Sequence, residues 1–271
     1  MTGPVQLLIS DIDGTLVRDD KSLSDGVVAA VRRVVEAGVP VSLISARPPS
    51  GMQWIAEKLG IDGPFGAFNG GTLFEADGTI VSAERLGERV AQAALDLLDR
   101  PEVTRWLFAD GRWYAEATDN PHNAREIQSA NQEPVVGAEW KELLGKADKI
   151  VGVCDDHDLL AALEQQVADA LGREATVARS QPYYLDITAP QANKGDGIAR
   201  LAATYGVPLE AVAVLGDQRN DLPMFARAGL SVAMGQAPDE VRAAATHVAR
   251  SNEEDGVADA IDRFVLVAAE G

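Results

Sequence analysis

Basic residues, histidine, cysteine and aromatic rings are all scarce in this 271-residue chain. Twenty-four Lys and Arg face 42 Asp and Glu, a formal net charge of -18. So acidic a surface repels nucleic-acid phosphates and anionic lipid headgroups, which argues against nucleic-acid and membrane partners. The lone cysteine, Cys154, can form no internal disulfide. It lies in the apolar run 150–154 and reads as a small buried strand residue. His122 and His157 have no metal-ligand spacing with it, which argues against zinc. Aromatics are 5% of the chain, so the core is built mainly from Ala, Val, Leu and Ile. Long apolar runs are missing too. The first, residues 5–9, is too short for a signal peptide or a membrane span, and no basic segment precedes it. The expectation is a soluble cytoplasmic protein, monomer or homodimer.

What is present is ordinary globular material, 46% hydrophobic and 24% charged, long enough for one large domain or two modest ones. Its organisation follows from periodicity. Residues 5–10 read as a buried strand. A helix capped by Ser24 carries Val27, Val28, Val31, Val34 and Val35 on one face, and Gly38 ends it. A strand at 39–45, a helix at 49–59 and a short strand at 65–68 follow, the rhythm of a parallel sheet with helical crossovers. The rhythm then changes. Asp77-Gly78 and Asp110-Gly111 are hairpin signals, and every Trp and Tyr except Trp54 and Tyr205 falls within 106–184. After Asn193 the first rhythm returns, with helices at 194–205, 222–228, 238–245 and 256–264 and strands at 211–215 and 230–233. The expected organisation is a Rossmann-like α/β core, residues 1–81 plus 189–271, interrupted by an α+β insert at 82–188.

Acidic and polar residues stand where the strands of such a sheet end. Ligands of open parallel sheets bind beyond the carboxyl ends of the strands. Asp11-Ile12-Asp13-Gly14-Thr15 follows the first strand, and its two carboxylates can converge on one hard cation. Ser45-Ala46-Arg47 follows the second, offering a hydroxyl and main-chain N–H groups to an anion, or simply a helix cap. Lys194 opens a helix, against the macrodipole preference, as a lysine facing an anion would. Gly216-Asp217-Gln218-Arg219-Asn220-Asp221 follows a later strand and can complete an oxygen cage for Mg²⁺. Each segment alone has a bland reading as a turn, a cap or a solvated loop. Four in this order do not share one.

These four segments resemble the motifs of the haloacid dehalogenase superfamily, and the resemblance is closer to its Cof-type branch of sugar-phosphate phosphatases. Asn69-Gly70-Gly71, Ala233-Met234-Gly235 and Asn252-Glu253-Glu254-Asp255-Gly256-Val257 add to the likeness. The resemblance implies a haloacid dehalogenase core with an inserted cap, and hydrolysis of a small phosphorylated metabolite. Asp11 would be the nucleophile and form an aspartyl-phosphate, and Asp13 would act as general acid and then base. Ser45, with main-chain N–H groups at Ile12 and Ala46, would bind the phosphoryl group, joined by Asn220 and Lys194. Mg²⁺ would be held by Asp11, the main-chain carbonyl of Asp13 and Asp217, with Asp221 supporting the metal shell. The chain has Ser45-Ala46-Arg47 where the family usually has Thr-Gly-Arg, and Gln236 where Asn is usual.

The same resemblance makes the insert a cap that selects substrate. Arg112, His122, Arg125, Arg179 and Tyr184 are candidates for that contact, although an arginine in so acidic a protein is more often a surface ion pair. Three other readings compete. A phosphotransferase or mutase would pass the phosphoryl group to a sugar hydroxyl, whereas a hydrolase releases orthophosphate. A non-catalytic binding protein would keep the fold without turnover. A response-regulator-like receiver is disfavoured by the large insert and by the Asp-x-Asp-Gly-Thr spacing.

Overall fold

The computed structural model describes residues 4–269. Residues 1–3 and 270–271, which the expected core includes, lie outside it. The first stretch runs β1 (Leu7–Ser10), α1 (Asp25–Glu36), β2 (Val41–Leu43), α2 (Pro49–Leu59), β3 (Phe65–Ala67), β4 (Thr72–Phe74) and β5 (Ile80–Ala83). Next come α3 (Glu88–Leu97), β6 (Thr104–Ala109), β7 (Arg112–Ala115), α4 (Asn123–Ala130), β8 (Ala147–Val153), α5 (His157–Leu171), β9 (Thr176–Gln181) and β10 (Tyr184–Thr188). The last stretch holds α6 (Lys194–Tyr205), β11 (Val212–Gly216), α7 (Leu222–Phe225), β12 (Leu230–Ala233), α8 (Asp239–Ala244), β13 (His247–Val248) and α9 (Gly256–Ala260). The described chain forms two compact units, one of residues 4–46, 52–81 and 193–269, the other of 47–51 and 82–192.

The first unit is built on a parallel sheet of order β13-β12-β11-β1-β2. Every residue of β1, β2, β11 and β12 is buried. A strand covered on both faces shows no alternation, which is why these read as unbroken apolar runs. Leu7, Ile9, Val212 and Val214 pack with Ile198, Leu201 and Ala202 of α6 and with Phe225 and Val241. Ser24 caps α1 by accepting from the Val27 N–H at 3.1 Å, and Val27, Ala30, Val31 and Val34 form its buried stripe. Leu7↔Val212 and Leu8↔Val41 set the register that brings the carboxyl ends of β11, β1 and β2 level.

The strand expected at 65–68 behaves differently from β1 and β2. β3 pairs antiparallel with β4 in a separate three-stranded sheet of order β3-β4-β5. It meets the line of β2 through the parallel bridge Ile44↔Gly66. A three-residue apolar run carries no mark of strand direction.

The second unit is a five-stranded antiparallel sheet of order β7-β6-β8-β10-β9. Asp110-Gly111 turns β6 into β7 with φ of 53° and 74°, the left-handed pair that a two-residue hairpin needs. Leu107, Ile150, Leu185 and Ile187 project to one face and pack with Val90 and Ala94 of α3 and Leu160, Leu163 and Val167 of α5. Trp106 alternates with Leu107 on β6 and stands edge-to-face with Trp113 and Tyr184, ring centroids 5.0 and 5.2 Å away. No helix among the described residues is long and apolar enough to cross a membrane.

Candidate active site

β1 lies between β11 and β2 in the sheet, and the chain leaves its carboxyl end through Asp11. The Asp11 N–H continues the ladder by donating to the Leu215 carbonyl at 2.9 Å. The backbone then curls tightly, with the N–H groups of Leu16 and Val17 both donating to the Ile12 carbonyl. Gly14 makes this possible. Its φ is +76°, and a Cβ there would stand 2.4 Å from Asp217 Oδ2. Gly14→Ala must therefore either displace the Asp217 carboxylate or distort the turn. The expected result is a loss of about 1–3 kcal/mol in urea unfolding.

Lys194 is the first residue of α6. Its N-cap, Asn193, accepts from the Asp196 N–H at 2.9 Å and so fixes where the helix begins. The lysine is 1% exposed. Its Nζ lies 2.7 Å from Asp11 Oδ1 and 2.6 Å from Asp221 Oδ1. The other oxygen of Asp221, Oδ2, accepts from the main-chain N–H groups of Asp217 and Gln218, both at 2.8 Å. Both oxygens of Asp221 are thus engaged by protein donors. Gly216 leaves room for this carboxylate, since a Cβ at Gly216 would sit 2.5 Å from Asp221 Cγ. Asp217 accepts from Thr15 Oγ1 at 2.9 Å and from Gln218 Nε2 at 3.1 Å.

Asp11, Asp217 and Asp221 are all buried, and one oxygen from each lies within 4.8 Å of the others. Three carboxylates against one ammonium leave two negative charges in excess when all are ionised. Burial pushes the Asp11 carboxyl well above its ordinary range against the pull of Lys194, and Asp221 and Asp217 add to the rise. Burial, reinforced by Asp221, takes Asp217 up to about 6. Burial alone would lower the Lys194 pKa, but Asp11 and Asp221 reverse this and hold it above the ordinary lysine value. An all-oxygen cluster with surplus negative charge fits a hard divalent cation.

The remaining candidates are placed around this cluster. The Asp13 carboxylate lies outside it and pairs with Lys21 Nζ at 2.8 Å. Ser45 is buried at the end of β2; its N–H donates to the Gly66 carbonyl and its own carbonyl accepts from the Asn69 N–H. Ala46 follows it, half-buried, and Ile12 is fully buried. Asn220 Nδ2 donates to Asn69 Oδ1 at 3.2 Å. In the second unit, Arg179 forms an ion pair with Glu164 at 2.8 Å, while His122 bonds Asp155 at 2.7 Å and stacks on Tyr183.

Sequence reasoning assigned nothing to several supporting side chains. Gln236 Nε2 donates to the Gly14 carbonyl at 2.6 Å, and Gln236 Oε1 accepts from the Asn252 N–H at 3.1 Å. Asn252 Nδ2 reaches the Val17 carbonyl at 3.2 Å. Together they clamp the turn that follows Asp11. Only the placement of Gln236 and Asn252 in family-like stretches could have drawn attention to them.

The acidic groups around the buried lysine stand past the carboxyl ends of β1 and β11, where open parallel sheets bind their ligands. The family model described as haloacid dehalogenase-like hydrolase matches residues 8–261, and the chain belongs to that family. A 5-amino-6-(5-phospho-D-ribitylamino)uracil phosphatase of Bacillus subtilis is 27% identical over 263 residues, covering 97% of this chain and 96% of the relative. An HMP-PP phosphatase of Escherichia coli is 27% identical over 244 residues, covering 90% and 89%. The crystal structure of a haloacid dehalogenase-like hydrolase from Bacteroides thetaiotaomicron superimposes with a TM-score of 0.88 at 26% identity, covering 96% of this chain and 99% of that one. The protein is a phosphatase on the expected α/β core.

Proposed function

We propose that this phosphatase hydrolyses small phosphomonoesters of the sugar-phosphate class, with Mg²⁺ and through an aspartyl-phosphate on Asp11. The observation that carries this reading is the buried Asp11–Lys194–Asp221 array beside Asp217. In the first step an Asp11 carboxylate oxygen attacks phosphorus and the bond to the leaving oxygen breaks, while Asp13 gives that oxygen a proton. In the second, water loses a proton to Asp13 and attacks phosphorus, the bond to Asp11 breaks and orthophosphate leaves. Lys194 restrains Asp11 and balances phosphoryl charge, and Ser45, Asn220 and the N–H groups of Ile12 and Ala46 bind phosphoryl oxygens. Asp11, Asp217 and the Asp13 carbonyl would hold Mg²⁺, with Asp221 supporting them; when bound, the ion offsets the charge that would otherwise oppose attack on a dianion. Two relatives carry names of phosphatases for small phosphorylated metabolites, which supports the substrate size. We assign substrate choice to the insert.

Orthophosphate release from sugar phosphates should require Mg²⁺ and stop with EDTA. The same reading makes a prediction from Asp217. Its pKa is raised from 3.8 to about 6. In metal-free protein the protonated form therefore contributes stability that is fully present below about pH 4 and lost as pH rises through 6, at most about 3 kcal/mol. Mg²⁺ binding needs the ionised form. The cation should raise Tm strongly at pH 7.5 and hardly at pH 5. Asp217→Asn should raise the metal-free Tm at pH 7.5 and erase the response to Mg²⁺. An equal response at both pH values, or one that survives in Asp217→Asn, would contradict the assignment.

A further inference from the structure

Asn69-Gly70-Gly71 has no part in the chemistry above, yet its conformation is unusual. Phe68, Asn69 and Gly70 have φ of 50°, 58° and 84°, three left-handed residues in succession of which only one is glycine. L side chains avoid that region, and such turns persist only where their surroundings hold them. This one is held from two directions. The Asn69 N–H donates to the Ser45 carbonyl at 2.7 Å, tying the turn to the end of β2. Arg200 of α6 donates to the Gly70 and Gly71 carbonyls, and a Cβ on Gly70 would lie 2.5 Å from Gly197 Cα of the same helix. That helix begins at Lys194. The turn is therefore built between two motifs of the site.

The side chain of Asn69 completes the link to a third motif, because its Oδ1 accepts one N–H of the Asn220 carboxamide at 3.2 Å. Asn220 is exposed, and an exposed carboxamide otherwise rotates about its last torsion. Asparagine suits both demands on position 69, since it tolerates the left-handed region better than most residues and carries a short acceptor. We propose that Asn69 is a positioning residue: it fixes one N–H of Asn220 so that the other is held ready for a phosphoryl oxygen. The inference rests on the reading of Asn220 as a phosphate contact. It gives the left-handed turn a purpose, as the means of carrying an acceptor to Asn220.

Asn69→Gly tests this, because glycine keeps the left-handed backbone and removes only the acceptor. The variant should have a Tm at or above that of the unaltered protein. With p-nitrophenyl phosphate as substrate and orthophosphate as competitive inhibitor, KM and Ki should both rise roughly five- to tenfold, the worth of one neutral hydrogen bond. Adding Asn69→Gly to Asn220→Ala should change KM and Ki by less than about twofold. Normal constants in Asn69→Gly beside an impaired Asn220→Ala overturn the positioning role and leave the reading of Asn220 intact. Unaltered constants in Asn220→Ala sink that reading and the inference with it. A lowered Tm with fully additive losses would make Asn69 a structural residue only.

Discussion

Asp11→Asn should abolish turnover and leave the fold intact. The carboxamide has nearly the shape of the carboxylate and can still accept from Lys194 Nζ, which sits 2.7 Å from Asp11 Oδ1. It is not a nucleophile, so no acyl phosphate can form. Loss of a covalent nucleophile typically costs several orders of magnitude, and here kcat should fall at least about 10³-fold. Stability should move the other way. Asp11 is buried among Asp217 and Asp221, and its carboxyl is pushed well above the ordinary range. Removing one charge from that cluster relieves repulsion, so the metal-free Tm should stay level or rise. A rapid acid quench with labelled substrate gives a second readout, in which the unaltered protein yields a hydroxylamine-labile phosphoenzyme and the variant none. Turnover within tenfold of the unaltered protein would remove Asp11 as nucleophile.

How far such a site can be read before folding depends on what carries the signal. β1 and β11 were legible because strands buried on both faces are continuous apolar runs, and Asp11 and Asp217 stand just past their ends. The chemistry of a parallel sheet collects there, so strand ends alone brought the acidic groups into consideration. The helix α4 was not legible. Its buried residues are Asn123, Glu126 and Ala130, and a helix that buries polar side chains has no apolar stripe to find. The two-residue strand His247–Val248 is shorter than any periodicity.

Within the site the limit is different. Asp221 stood beside Asp217 as a further carboxylate of the same loop, and nothing in its spacing says that both its oxygens are taken by Lys194 and two N–H groups. That follows from a tight turn beside Gly216, where any Cβ would strike the carboxylate. Asp13 pairs with Lys21, whose φ of 67° no propensity announces. Gln236 and Gly14 meet across 222 positions of sequence. Residue type and position relative to strands are local properties of a chain; the partners that orient each group are set by tertiary contacts.

The strongest test of that tertiary arrangement is Lys194→Met. Methionine matches the length of the lysine stem but leaves Asp11 and Asp221 in a dry interior with no cation between them. Lys194 has no side-chain exposure, Asp221 none and Asp11 6%, so solvent cannot take over the role. Removing one partner of a buried ion pair costs about 3–5 kcal/mol, because the charge left behind has lost its hydration. Urea unfolding in EDTA should show a loss of that size, and activity should fall below detection. The loss has a specific remedy. Asp221→Asn in the Lys194→Met background removes one stranded charge and keeps acceptor and donor groups of similar shape. It should recover about 1–3 kcal/mol through coupling between neighbouring sites, whereas Asp221→Asn alone should destabilise. Activity should not return with stability, since Asp11 would still lack its counter-charge. If the two substitutions simply add, the Lys194–Asp221 contact is not the energetic core of the site. If Lys194→Met keeps measurable Mg²⁺-dependent hydrolysis, the cation alone suffices to balance Asp11, and the lysine would be a structural residue of the buried array.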